Sequence, residues 1–180
     1  MKQPETPGRT DARNFKFDFA PIGIIHSPYA EPAGVPIQGV FAGGAEGTVE
    51  LLPELAAGLA DLEGFSHIIL LYYFHLSKGC TLTCKPFLDT QERGVFATRA
   101  PRRPNPIGMS VVRLLGIEGC ALRIGDVDIV DGTPLLDIKP YIPDFDVRVE
   151  VRSGWYESAR NKQQIVSDGR FMHTDAKEKP

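Results

Sequence analysis

The sequence predicts a mainly β fold, a small barrel closed or nearly closed on itself with one short helix. Three observations lead there. Its 18 Gly and 15 Pro carry no G-x-y repeat, so they mark turns. The apolar runs between those turns are short and rich in β-branched and aromatic residues, as in Ile68 to Phe74. Only Glu54 to Leu62 reads as a helix, and most connections are too short for βαβ crossovers. Closing the sheet removes the unpaired edges that a small open sheet would expose.

Three regions are expected: an N-terminal arm at 1–18, the barrel at 19–143, and a charged C-terminal extension at 144–180, partly packed with a frayed end. Ile22 to His26 is the first strand, closed by Ser27-Pro28-Tyr29. Glu31 to Gly44 is a Pro/Gly-rich loop, long enough to suggest function. Gly47 to Leu52 is a second strand, and Pro53 stands where the helix can start because its missing N–H would be unpaired there. Phe65 to Leu76 is an apolar strand buried on both faces. Lys78 to Glu92 holds a strand flanked by loops, and Gly94 to Thr98 forms another before a Pro-dense segment stops it. Ser110–Ile117, Ala121–Val130 and Pro134–Lys139 follow, with Glu118-Gly119 and Asp131-Gly132 as turns. Gly154-Trp155-Tyr156 adds an edge or packs on the barrel, and 175–180 frays.

Composition bounds the function. At 180 residues the chain has the length of one domain with tails, and 42% hydrophobic with 24% charged residues excludes a wholly disordered chain. A net charge of −3 means that nucleic-acid binding would need a local basic patch. Three Cys cannot form a fully paired disulfide framework. The first residues lack a signal peptide's apolar core, and no apolar run is long enough to span a bilayer. The expectation is a soluble cytoplasmic protein.

The most informative segment is Arg93 to Gly108. Pro101, Pro104 and Pro106 stiffen a loop that presents Arg99, Arg102, Arg103 and Asn105, so little entropy remains to be lost on binding. From Lys78 to Arg113 seven Lys/Arg face two Asp/Glu, a patch suited to phosphate or carboxylate, although a stiff solvated turn would read the same. Asp131-Gly132-Thr133-Pro134 reads either as a plain β-turn or as one whose backbone clasps a ligand. His75, Cys80 and Cys84 lack a standard zinc spacing and a fourth ligand, so no metal is expected, and His67 reads as a packed core histidine. Gly43-Gly44-Ala45-Glu46-Gly47 matches no phosphate-loop pattern.

Together Gly94-Val-Phe-Ala-Thr-Arg99, Arg103-Pro-Asn-Pro-Ile-Gly108 and Asp131-Gly-Thr-Pro134 with Asp137-Ile-Lys-Pro-Tyr141 resemble the TsaA-like family. The likeness extends to Ile22–Ile25, Ser27–Tyr29, Val35–Gln38, Leu62-Glu63 and Phe65–His67, and spans about Ile22 to Pro143. It implies a dimeric, non-Rossmann barrel that binds S-adenosyl-L-methionine and methylates N6 of threonylcarbamoyl-adenosine at tRNA position 37, in the anticodon loop. The cofactor contacts it implies are Pro36, Ile37 and Gln38, then His75 and Leu76, then Arg99, Met109, Asp131, Gly132, Thr133 and Pro134. On that reading Arg102 and Arg103 hold anticodon-loop phosphates or the threonine carboxylate, and Asn105 or Asp131 orients N6. Longer family members carry a further C-terminal domain, and Leu76 stands where a well-studied form has Gln. The alternatives are a methyltransferase on the same scaffold with a small-molecule or other non-tRNA acceptor, and a non-catalytic module that binds the cofactor or RNA.

Overall fold

The computed structural model describes residues 11–159 and 165–171. The fraying expected at 175–180 lies outside them. Eight strands follow in chain order: β1 (Gly23–His26), β2 (Glu46–Leu51), β3 (His67–Tyr73), β4 (Thr83–Cys84), β5 (Arg93–Gly94), β6 (Ile107–Glu118), β7 (Ala121–Gly125) and β8 (Thr133–Pro140). Six of them close a barrel in the order β1-β2-β7-β6-β3-β8, while β4 and β5 form a small separate pair. Every pairing is antiparallel, and β1 seals against β8 with Gly23 opposite Leu135 and Ile25 opposite Thr133. The closed barrel expected from the sequence is therefore what forms.

Period-2 alternation decides which side chains face the interior. On β3 these are Ile68, Leu70 and Tyr72, and on β6 they are Gly108, Ser110 and Val112, all buried. Ile25, Val49, Leu51, Leu122, Ile124 and Leu135 complete the filling from the other four strands. The interior is thus a packed core whose polar members include Tyr72 and Ser110 on the neighbouring strands β3 and β6 and Thr133 at the start of β8. β3 shifts register against β8 between Leu71 and Tyr72, an irregularity of the kind that re-aims a side chain.

Three elements differ from the sequence reading. The helix expected at Glu54–Leu62 is a 3-10 segment, Pro53–Leu59, which buries only Leu59 and turns extended at Ala60 with ψ 135°. With Gly58 inside it and no side-chain cap, an α-helix would gain little there. Among the described residues the single α-helix is instead Pro143–Asp146. Gly94 to Thr98 is not a strand: only Arg93 and Gly94 pair, and Val95–Ala97 curls into a 3-10 turn whose end is held by the Thr98 hydroxyl donating to Val95 O at 2.9 Å. Within Lys78–Glu92 the expected strand flanked by loops is the two-residue Thr83–Cys84.

The third difference matters most. β7 stops at Gly125 instead of running to Val130, because Asp126 adopts a left-handed φ of 63° that breaks the ladder. Residues 126–132 then cross one end of the barrel. Backbone bonds from Val127 to Ala45, Asp131 to Tyr29 and Gly132 to Ile25 pin this crossing, together with the Ser27 hydroxyl on Ile129 O at 2.6 Å. Val127 and Ile129 point into the core, which turns Asp128 the other way.

Candidate active site

A two-lobed cleft opens where the crossing segment, the Pro/Gly-rich loop and the Pro-stiffened basic loop meet. The first lobe is an apolar cavity of about 150 Å³ lined by Pro36, Ile37, Phe74, His75, Leu76 and Thr133, among others. The second is larger, about 760 Å³, and aromatic, with Phe41, Phe87, Phe96, Trp155 and Tyr156 in its wall. Gln38, Arg99, Asp128, Phe87 and Phe171 line both. This shared rim joins the two lobes.

The basic loop is built to hold Arg99 outward. The Thr98 hydroxyl accepts from the Ala100 N–H at 3.3 Å, and Arg103 Nη1 donates to Thr98 O and Ala100 O at 3.2 and 3.3 Å. Two tight turns follow, Arg103 N to Pro101 O at 2.9 Å and Ile107 N to Asn105 O at 2.8 Å. Arg99, exposed at the rim, donates through Nη1 to Gln38 Oε1 at 2.5 Å, while Gln38 Nε2 donates to Ile37 O at 2.6 Å. Two residues 61 positions apart thus fix each other across the mouth.

Of the cofactor contacts implied by the sequence, Pro36, Ile37, Gln38, His75, Leu76, Arg99 and Thr133 come together in the first lobe. Met109 lies on the outer face of β6, 44% exposed, and Asp131, Gly132 and Pro134 line neither lobe. The Asp131 carboxylate accepts from the Ser27 N–H at 3.1 Å and contacts His26 Nδ1 at 3.2 Å, and these bonds, the amide first, hold its pKa low. That is the chemistry of a braced turn, not of a base. Asn105 is exposed and also lines neither lobe.

Arg102 is buried at 9% exposure, and Arg103 spends Nη1 on its own loop. Arg102 is thus drawn off the surface, while Arg103 is half-buried and braces the loop that carries Arg99 through Nη1. Cys80 is exposed and Cys84 buried. Among the described residues no cluster of three or more His, Cys, Asp or Glu is arranged to hold a metal ion.

Burial pushes the pKa of His75 down, so its imidazole is neutral near pH 7, with Nδ1 lying 3.4 Å from the Thr133 hydroxyl. An NMR titration of this ring is expected to show a midpoint below the usual ~6.5. A midpoint at or above that value would remove the burial account.

Three side chains of the cleft escaped the sequence reading. Ser110 donates to Asp128 Oδ1 at 2.6 Å, and its oxygen lies 3.0 Å from the Tyr72 hydroxyl. Since the Ser110 proton goes to Asp128, Tyr72 is the donor to Ser110. The Gly39 amide also bonds Asp128. A Cβ on Gly39 would lie 2.7 Å from Asp126 O, so only glycine lets this turn come so close. Asp128 keeps an open edge on the cleft yet is densely surrounded, and the resulting desolvation pushes its pKa up against the lowering pull of Ser110 and Arg99. Two signals were available in the sequence: polar residues at inward positions of apolar strands, and an acid between Val127 and Ile129.

The C-terminal extension was also under-read. Val166 bridges Pro36, the Ser167 N–H donates to Val35 O at 2.8 Å, and the Gly34 N–H donates to Ser167 O at 2.7 Å. Phe171 packs edge-on against Phe87 with centroids 5.2 Å apart, and Arg170 lies over the same ring. Trp155 Nε1 donates to Ala97 O at 2.8 Å. Ser167, Gly169 and Phe171 wall the first lobe, while Trp155 and Tyr156 wall the second.

Residues 24–147 match the family model described as the tRNA-methyltransferase O N-terminal domain. The chain is 59% identical over 155 residues to a probable S-adenosyl-L-methionine-binding protein of Pyrococcus abyssi, covering 86% of this chain and 84% of that protein. It is 38% identical over 161 residues to the tRNA (adenine(37)-N6)-methyltransferase of Escherichia coli, covering 84% and 68%. A crystal structure of TrmO from Pseudomonas aeruginosa superposes with a TM-score of 0.67 at 42% identity, covering 78% of this chain and 63% of that one. The chain therefore spans a little under two thirds of that solved protein.

Proposed function

Since the chain belongs to the tRNA-methyltransferase O family, we propose that it is an S-adenosyl-L-methionine-dependent methyltransferase acting on N6 of adenosine 37 in the tRNA anticodon loop, with threonylcarbamoyl-adenosine as the acceptor. The observation that carries this reading is the pairing of an apolar lobe with a larger aromatic one across a polar rim. At about 150 Å³ the first lobe is smaller than the ~300–1,000 Å³ of a pocket for a whole drug-sized ligand. It suits the adenine ring, with the rest of the cofactor crossing the rim. The residues fit that group: Ile37 and Leu76 offer apolar flanks, and Arg99 offers a planar cation to a carboxylate.

Bound there, S-adenosyl-L-methionine supplies an already activated methyl group. The work left to this chain is to orient the acceptor nitrogen and exclude water. Phe87, Phe96, Trp155 and Tyr156 give an unstacked base faces to lie on. Position 37 belongs to a loop, so drawing its base out breaks no duplex. We read the molecule as a homodimer, supported by the exposed apolar side chains Ile107, Met109 and Val111 on the outer face of β6. Among the described residues no helix is long and apolar enough to cross a membrane. The cytoplasmic location follows from the proposed acceptor.

Nucleoside mass spectrometry tests the reading. Incubation with S-adenosyl-L-methionine and threonylcarbamoylated tRNA is expected to add one methyl mass to the modified adenosine. Cofactor binding without that gain would move the assignment to a non-tRNA acceptor.

A further inference from the structure

We infer that Asp128, aimed by Ser110 and Tyr72, is the carboxylate that receives the N6–H proton of the acceptor; this rests on the methyltransferase reading above. Among the described residues it is the one carboxylate that lines both lobes, so it sits where a donor in one and an acceptor in the other would meet. The alternatives are spoken for. Asp131 is committed to Ser27 and His26 and lines neither lobe, and Asn105 has no basic group. His75 lines the first lobe only.

The surroundings are those of a poised base. Tyr72 donates to Ser110, Ser110 donates to Asp128 Oδ1, and the Gly39 amide adds a further bond. These bonds fix the carboxyl plane and stabilise its charged form, while desolvation raises its appetite for a proton. The titratable and charged groups acting on it are Tyr72 on β3, Tyr29 in the loop after β1 and Arg99 on the basic loop. Both tyrosines have pKa values raised by burial and by the Asp128 charge, so they stay protonated at neutral pH and Tyr72 remains a donor.

The N6 lone pair forms the bond to the methyl carbon as the carbon–sulfur bond breaks, and that electron pair stays on sulfur as a neutral thioether. The proton leaving N6 passes to the Asp128 carboxylate, which later returns it to water. Ser110 and Tyr72 act through Asp128 and are positioning residues.

Single-turnover methyl transfer to threonylcarbamoylated tRNA, measured across pH, is the test, with calorimetric affinity for S-adenosyl-L-methionine measured on the same preparations. In the wild type the rate should climb as pH rises through the pKa of Asp128, because the charged form is the acceptor. Asp128→Asn should slow transfer by ~10²- to 10⁴-fold and abolish that limb, with cofactor affinity changed less than about threefold. Ser110→Ala removes a bond that favours the carboxylate, so its limb should move to higher pH. Tyr72→Phe should move it the same way by less. The inference is overturned if Asp128→Asn keeps the limb, if its rate loss is matched by an equal loss of cofactor affinity, or if the Ser110→Ala limb does not move. Should Asp128→Asn fail to fold, the Ser110→Ala and Tyr72→Phe profiles decide. Wild-type protein that binds the cofactor yet methylates no tRNA overturns the underlying reading instead, and the inference with it.

Discussion

Replacing Gly108 with Ala should lower the melting temperature by roughly 3–10 °C, the equivalent of ~1–3 kcal/mol of overpacking in a chain of this size. The reason is local and severe. A Cβ on Gly108 would lie 2.2 Å from Cε2 of Tyr72 and 2.5 Å from Cζ, inside the ring's van der Waals envelope. The ring has nowhere to go: Tyr72 is 5% exposed and meets Phe74 edge-on with centroids 5.4 Å apart. Either β3 and β6 part at the Tyr72–Gly108 pair, or the ring swings and its hydroxyl leaves Ser110. Gly116→Ala, on the same strand, is the control. Nothing lies within 4 Å of its added carbon, so it should cost no more than ~0.5 kcal/mol. Equal melting temperatures for the two variants would refute this account of why glycine stands at position 108.

Arg99→Ala is expected to weaken S-adenosyl-L-methionine binding by about 10- to 100-fold, the loss of a charge-assisted hydrogen bond worth ~1.5–3 kcal/mol. Stability should move by no more than ~0.5 kcal/mol, because the side chain is exposed and its bond to Gln38 is at the rim of the cleft. Arg99→Lys should recover only part of the affinity, since an ammonium cannot make the planar two-pronged contact of a guanidinium. Calorimetry reads the binding change and a thermal melt reads the stability. Unchanged affinity in Arg99→Ala would take that residue out of the cofactor site.

Much of this architecture was readable beforehand because its signals are local. Apolar runs of four to seven residues, broken by Gly and Pro, marked β1, β2, β3, β6 and β8 to within a few residues. Three prolines announced a stiff loop, and Arg99 does stand on it. What was misread depends on tertiary context. Arg102 and Arg103 look like surface cations in the sequence, yet Arg102 is buried and Arg103 turns Nη1 onto carbonyls of its own loop. Asp131 stands out in the sequence because it opens a turn, whereas Asp128 is hidden inside an apolar stretch. The left-handed residue at Asp126, which ends β7 and turns Asp128 to the cleft, is announced only by the strand-disfavouring pair Gly125-Asp126 between apolar neighbours. The tail's return to Val35 and Pro36 is a contact across more than 120 residues, invisible to any local pattern.

The seam of the barrel carries a consequence for how the molecule is born. β1 seals against β8, joining Gly23 to Leu135, so its second partner is synthesised more than a hundred residues later. At ~5–20 residues per second that is a wait on the order of ten seconds, in which Gly23-Ile24-Ile25 has only β2 to pair with. An apolar strand with one bare edge is what chaperones and other nascent chains seize. Ring closure also comes at the end of the entropic climb, since the long loop must be drawn shut before the last ladder rewards it. Spontaneous refolding is therefore expected among the slow, milliseconds-to-seconds barrels, with the β1–β8 ladder the last part to gain protection from hydrogen exchange.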